Sequence, residues 1–154
     1  MGPDSREEGS VQHDGSALGG GGEAPGAGIV GSWRVRVGTK ISFAHFIPGF
    51  HGAEGRVHGH DWKIEAVFGA HGLDGLGMLA SPRDLLRLLN AAIADFQNVL
   101  LNDVPEAPVP PTPEKIAAFV LGRLRGFFEE FPPVRGFCIL EVRVLAGDLE
   151  VTFS

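Results

Sequence analysis

The sequence predicts an α+β domain in which two strands, two helices and two further strands form one antiparallel sheet with both helices on one face. Two observations predict it. Apolar residues recur at every second position from Trp33 to Phe46, from His58 to about Phe68, and again in the last eighteen or so residues, which is the period of strands with one covered face. Between the second and third of these stretches the period lengthens to about 3.6, the mark of amphipathic helices. Strands with one apolar face and helices with one apolar stripe bury both by layering.

The elements follow in order. Residues 1–28 are rich in Gly, Ser, Glu and Asp and include the run Gly19-Gly20-Gly21-Gly22. Such a stretch offers too little apolar surface to offset chain entropy, so it is expected to be a disordered tail, with His13 inert within it, and residues 29–154 to be the folded domain. In the first strand Trp33, Val35, Val37, Ile41, Phe43 and His45 share one parity, and Gly38-Thr39-Lys40 is a place where it could bulge or break. A loop from Ile47 to Val57 carries Pro48, Gly49, Gly52 and Gly55. The second strand puts His58, His60, Trp62, Ile64, Ala66 and Phe68 on one face, and a glycine-rich connection runs from Gly69 to Gly77. Ser81-Pro82 is a cap and first-turn pair opening a helix whose apolar stripe is Leu85, Leu88, Leu89, Ala92, Ile93 and Phe96. A proline-rich loop spans Asn98 to Pro111. Thr112-Pro113-Glu114 opens the second helix in the same way, and Phe131-Pro132-Pro133 should end it. Phe137 to Leu145 and Leu149 to Phe153 form the closing hairpin around Ala146-Gly147-Asp148. Four strands leave open sheet edges, which oligomerisation could pair.

Composition narrows the function classes. A chain of 154 residues suits one domain, and a net charge of −6 gives no electrostatic footprint for nucleic acid or an anionic membrane. No apolar run reaches the roughly 18 residues of a membrane span, and the N-terminus lacks the basic-then-apolar pattern of a signal peptide. A single cysteine, Cys138, gives no disulfide framework and fits a reducing, cytoplasmic compartment.

Chemistry concentrates in three histidines. His58 and His60 are two apart on one strand and therefore point the same way; His45 ends the neighbouring strand on the face of Ile41 and Phe43. Three imidazoles with a fourth position open is the usual arrangement of catalytic zinc, so His45, His58 and His60 are the candidate Zn²⁺ ligands. A lone histidine would more often be an ordinary polar residue; the shared parity across a hairpin argues for metal. His51 and His71 lie in glycine-rich loops and are expected to be solvated. Gly52, His58, His60, Glu65 and Gly72 also match a cupin metal-motif spacing, but Glu65 has the opposite parity to both histidines, and no histidine follows His71.

With these residues in view, the chain from Trp33 to Thr152 resembles the 6-pyruvoyl-tetrahydropterin synthase and 6-carboxytetrahydropterin synthase family. The resemblance rests on Phe43-Ala44-His45, His58-Gly59-His60, Gly77-Met78, Leu101-Asn102-Asp103 and the run Pro111-Thr112-Pro113-Glu114-Lys115-Ile116-Ala117. It implies the tunnelling fold, ring assembly into homo-oligomers such as hexamers with sites between subunits, and a zinc-dependent lyase acting on the side chain of 7,8-dihydroneopterin triphosphate or a close relative. The family's catalytic cysteine, four residues before His-Gly-His, is Glu54 here. This resembles a subgroup that releases 6-hydroxymethyl-7,8-dihydropterin, with Glu54 as the implied general base. Thr112 matches a threonine that contacts the pterin, and its bland role is a helix N-cap. Other positions depart from the family. Its Asp-His relay falls on Gln97 and Asn98, or, shifted by two, on Asp95 and Phe96. Its pterin-anchoring glutamate falls on Val144, with Glu141 nearby but of opposite parity. These departures keep open a second reading, a substrate-changed or non-catalytic zinc- or pterin-binding homologue.

Overall fold

A computed structural model describes residues 32–127 and 134–154. The tail at 1–28, the expected start of order near Ile29 and the expected helix stop at Phe131-Pro132-Pro133 lie outside the described residues.

The strands β1 (Trp33–His45), β2 (His58–Ala70), β3 (Cys138–Ala146) and β4 (Leu149–Phe153) form one antiparallel sheet in the order β1-β2-β3-β4. The helices α1 (Pro82–Ala92) and α2 (Pro113–Gly126) cover one face, α1 over β1 and α2 over β3 and β4. Alternation decides what lies beneath them. Ile41, Phe43, Trp62, Ile64, Ala66, Phe68, Val142 and Val144 are buried against the helices. The opposite face is ionic: Glu65 lies 2.7 Å from Lys63 and 3.6 Å from Arg36, and Arg143 pairs with Glu141 at 2.6 Å and Glu150 at 3.4 Å. Glu65 therefore faces away from the histidines, which disposes of the cupin spacing.

β1 runs unbroken through Gly38-Thr39-Lys40, pairing Gly38 with Glu65 and Lys40 with Lys63. The glycine has another cause than a bulge: a Cβ there would lie 3.1 Å from the Glu65 and Lys63 side chains that cross it. The irregularity occurs instead on β3, where Val67 pairs with Glu141 but Phe68 with Ile139, leaving Leu140 extra.

The apolar stripe predicted for the first helix extends past the helix itself. α1 ends at Ala92, and a 3₁₀ turn over Ala94–Phe96 completes the stripe, with Phe96 fully buried. Arg123 of α2 explains the stop: its Nη1 donates to the Ala92 carbonyl oxygen at 3.0 Å, meeting an acceptor that a continuing helix would have used. The predicted loop from Asn98 to Pro111 is partly ordered into the edge of β1. Asn98 N–H donates to the Ser42 carbonyl at 2.6 Å, Ala44 N–H to the Val99 carbonyl at 2.9 Å, and Leu100 bridges Ala44 in parallel. No helix among the described residues is long and apolar enough to cross a membrane.

Candidate metal centre and its cavity

The β1–β2 register puts His45 opposite His58, and His60 follows two residues along on the same face. The three rings form a nearly equilateral group, with centroids 4.7 Å apart for His45–His58 and His58–His60 and 5.0 Å for His45–His60. One nitrogen from each lies within 4.8 Å of the others. His45 is buried, while His58 and His60 are half-buried.

Tautomers follow from the partners. His45 Nδ1 is 2.8 Å from the Pro111 carbonyl oxygen and His58 Nδ1 is 2.7 Å from that of Arg56. A carbonyl only accepts, so each Nδ1 carries the proton and each Nε2 keeps its lone pair free. This is the outer-shell arrangement that fixes metal-binding imidazoles. Burial, followed by the neighbouring imidazoles, pushes His45 below its ordinary 6.5, although the Pro111 hydrogen bond acts in the opposite sense. Burial, then His58, does the same to His60. Both shifts favour the neutral ring, which is the ligating form. An all-nitrogen donor set with a buried member fits zinc, and three ligands leave a fourth position.

The triad opens on a cavity of about 580 Å³, within the range of small-molecule sites. Glu54 reaches it from a 3₁₀ turn over Ala53–Gly55, and Thr112 from the N-terminus of α2. Both sequence-predicted positions thus share one cavity with the histidines. Thr112 is also the N-cap, its Oγ1 accepting from Lys115 N–H at 3.4 Å. His51 and His71 are exposed and outside it, as expected of solvated loop histidines.

The positions assigned to the family relay do not form one. Asp95 is held by both terminal nitrogens of Arg123, at 2.5 and 2.8 Å; these hydrogen bonds hold its carboxyl below the usual carboxylate range. Phe96 is buried and stacks on Phe119. Gln97 accepts from Ser42 N–H through Oε1 at 3.1 Å. Asn98, in the left-handed region at φ 57, lines a separate depression beside His60 and Asp61. Val144 is fully buried core, and Glu141 is turned to the ionic face. The residue of β3 that lines the cavity is Ala146. Sequence reasoning also missed Trp62 and Glu114, which line the same cavity. Trp62 carried a signal in its parity with His60; Glu114 carried one in its place two residues after Thr112.

Comparison with known proteins now adds to the geometry. Residues 34–148 match the family model described as 6-pyruvoyl tetrahydropterin synthase. The chain belongs to the 6-pyruvoyl tetrahydropterin synthase family. Its members process pterins enzymatically, and the four-stranded antiparallel sheet with two helices is the family's tunnelling fold. An Archaeoglobus fulgidus protein named “Putative 6-carboxy-5,6,7,8-tetrahydropterin synthase” is 36% identical over 90 residues, 58% of this chain and 74% of that one. Among solved structures, the Caenorhabditis elegans 6-pyruvoyl tetrahydropterin synthase superposes with a TM-score of 0.64 at 15% identity, covering 81% of this chain and 96% of that one. The Plasmodium vivax enzyme superposes at 0.62 and 16% identity, covering 80% and 97%. A variant of the P. vivax enzyme with cysteine in place of a glutamate described as a catalytic residue superposes at 0.63 and 15% identity, again covering 80% and 97%.

Proposed function

We propose that this chain is a zinc-dependent lyase that cleaves the side chain of 7,8-dihydroneopterin triphosphate or a close relative, releasing 6-hydroxymethyl-7,8-dihydropterin. The observation that carries the reading is the convergence of three imidazoles and the carboxylate of Glu54, beside a second carboxylate from Glu114, on a single cavity. A bound zinc ion would supply Lewis acidity toward the side-chain hydroxyls. His45, His58 and His60 would hold it.

Glu54 is the general base. It takes the proton from the C2′ hydroxyl; the C1′–C2′ bond breaks as the C2′ oxygen becomes a carbonyl. The bonding pair passes into the ring imine, and the proton returns to C1′. Atoms and electrons balance without a redox partner. A carboxylate suits this task because it both accepts the proton and, once protonated, donates it. The glutamate described as a catalytic residue in the Plasmodium vivax enzyme supports the assignment, since it is a carboxylate serving a member of the same family. Thr112 and Glu114, which line the cavity, would receive the pterin. Glu114 offers a carboxylate to a ring edge of amide N–H and amino donors.

Incubating zinc-loaded protein with dihydroneopterin triphosphate and identifying the pterin released tests this. The expected product is 6-hydroxymethyl-7,8-dihydropterin, with Glu54→Ala slower by about 100- to 10,000-fold at unchanged zinc content. No product from zinc-loaded protein would refute it. One observation favours a second reading, a zinc- or pterin-binding homologue without turnover on this substrate. Asp95, Phe96 and Gln97 are all committed to structural contacts and leave no relay. Ligand binding without product would select it.

A further inference from the structure

Asn102 makes a two-way pair with the backbone of Phe46. Its Oδ1 accepts from the Phe46 N–H at 3.0 Å, and its Nδ2 donates to the Phe46 carbonyl oxygen at 3.0 Å. Both bonds go to one residue, fifty-six positions earlier in the chain. Phe46 is the first residue past β1 and follows His45, whose pairing with His58 is the last of the β1–β2 ladder. On the other edge of β1, Ala44 N–H is already tied to the Val99 carbonyl, and Ala44 bridges Leu100 in parallel. Residues Leu101–Asp103 then turn into a 3₁₀ helix. The Asn102 amide carries the pairing on by side chain and satisfies a backbone donor and acceptor beyond the ladder.

The amide stands at a joint. On one side is His45, held between Ala44, tied to Val99, and Phe46, tied to Asn102. On the other is Ile47, whose N–H donates to the Glu54 carbonyl and so closes the loop that carries Glu54. The residues lining the histidine cavity do not include Asn102, so its effect passes through the backbone. A side-chain amide suits both ends of the pair, because its oxygen accepts and its NH₂ donates. A carboxylate would accept from the N–H but set a second acceptor against the carbonyl. Leucine, of similar size, offers neither.

We propose that Asn102 is a positioning residue that holds His45 and Glu54 in one fixed relation, setting zinc affinity through the first and the reach of the base through the second. The zinc half rests on the histidine site alone, and the catalytic half rests on the lyase reading. Groups that orient a ligand from outside the coordination shell commonly cost about 10- to 100-fold in metal affinity or activity when removed.

The test measures zinc affinity by competition with a chromophoric chelator, and kcat and KM on dihydroneopterin triphosphate at saturating zinc. It compares the wild-type chain with Asn102→Leu and Asn102→Asp, at a temperature where melts show each fully folded. Arg123→Leu is the control for stability loss alone: it removes hydrogen bonds to Ala92, Asp95 and Glu106, none of which lines the cavity. Asn102→Leu should bind zinc about tenfold more weakly and lose kcat about 10- to 100-fold, with KM changing less than kcat. Asn102→Asp keeps the bond from the Phe46 N–H and should fall between. Arg123→Leu should melt earlier with zinc affinity and kcat unchanged. Wild-type zinc affinity and kcat in Asn102→Leu, or equal losses in Arg123→Leu, would reduce Asn102 to a stabilising contact and overturn the proposal. If Asn102→Leu does not fold, Asn102→Asp decides by the same comparison. A wild-type chain that binds zinc but releases no product overturns the lyase reading and leaves zinc affinity to decide the role of Asn102. A wild-type chain that binds no zinc overturns the metal site and this proposal together.

Discussion

A Cβ on Gly55 would stand 2.0 Å from the Phe50 carbonyl oxygen, a backbone atom that cannot swing aside. The 47–57 loop is folded back on itself, with Ile47 N–H donating to the Glu54 carbonyl at 2.7 Å. Glycine at 55 is therefore a condition for Glu54's position. Gly55→Ala should displace Glu54 and lower kcat about 100-fold, the usual scale for a small misplacement of a catalytic group. Zinc content measured on the same preparation should not change, since none of His45, His58 and His60 is on that loop. Equal zinc and equal kcat would show that Glu54 does not act from this turn. The same scale shows why some site residues were legible in the sequence and others were not. Strand parity alone put His45, His58 and His60 together. Parity could not separate Val144 from Ala146, which point the same way two residues apart. Only depth separates them: Val144 lies under α2 and Ala146 at the cavity.

At the scale of elements, the start of α2 serves two ends. Pro111 turns its carbonyl to His45, and the next residue, Thr112, caps the helix and lines the cavity. The cap and the cavity contact can be separated. Thr112→Ala should cost about 1 kcal/mol of stability in thermal or urea melts, the loss of one N-cap. Thr112→Asn should restore the stability, because Asn caps as well, but not the substrate KM if the threonine hydroxyl meets the pterin. Recovery of both by Asn would reduce Thr112 to its cap. The Ser81-Pro82 and Thr112-Pro113 starts were readable because such signals are local, although only Thr112 makes a side-chain capping hydrogen bond and Ser81 makes none. The stop at Ala92 was not, because it depends on Arg123, thirty-one residues away. Nor was the docking of residues 98–100 on β1, which is held by backbone hydrogen bonds that no side-chain pattern announces.

At the scale of the whole molecule, the sheet's two faces divide the labour. The helix-side face is a continuous apolar core that ends in the histidines, and the far face is a lattice of ion pairs. Candidate ligands on β1 and β2, with His45 oriented by the start of α2, tie three elements to one point. Metal binding would then act on the fold as a whole. With zinc at about 100 times its dissociation constant, stabilisation should be about 2.7 kcal/mol. For a chain of this size that is roughly 5–11 °C in Tm, reversed by chelation. The pH dependence has a definite sign. His45 and His60 are pushed below 6.5 in the folded protein, so as pH falls through 6.5 the unfolded chain takes up protons first. Their neutral-ring stability is complete above 6.5 and is lost progressively as pH falls toward the depressed values. Proton competition for the imidazoles weakens zinc in the same direction. Thermal melts with and without chelator, on either side of pH 6.5, should show the zinc-dependent increment in Tm shrinking on the acid side. Metal-free protein should also lose stability there. A zinc increment that grows on acidification, or that survives His58→Ala together with His60→Ala, would place the metal elsewhere in the molecule.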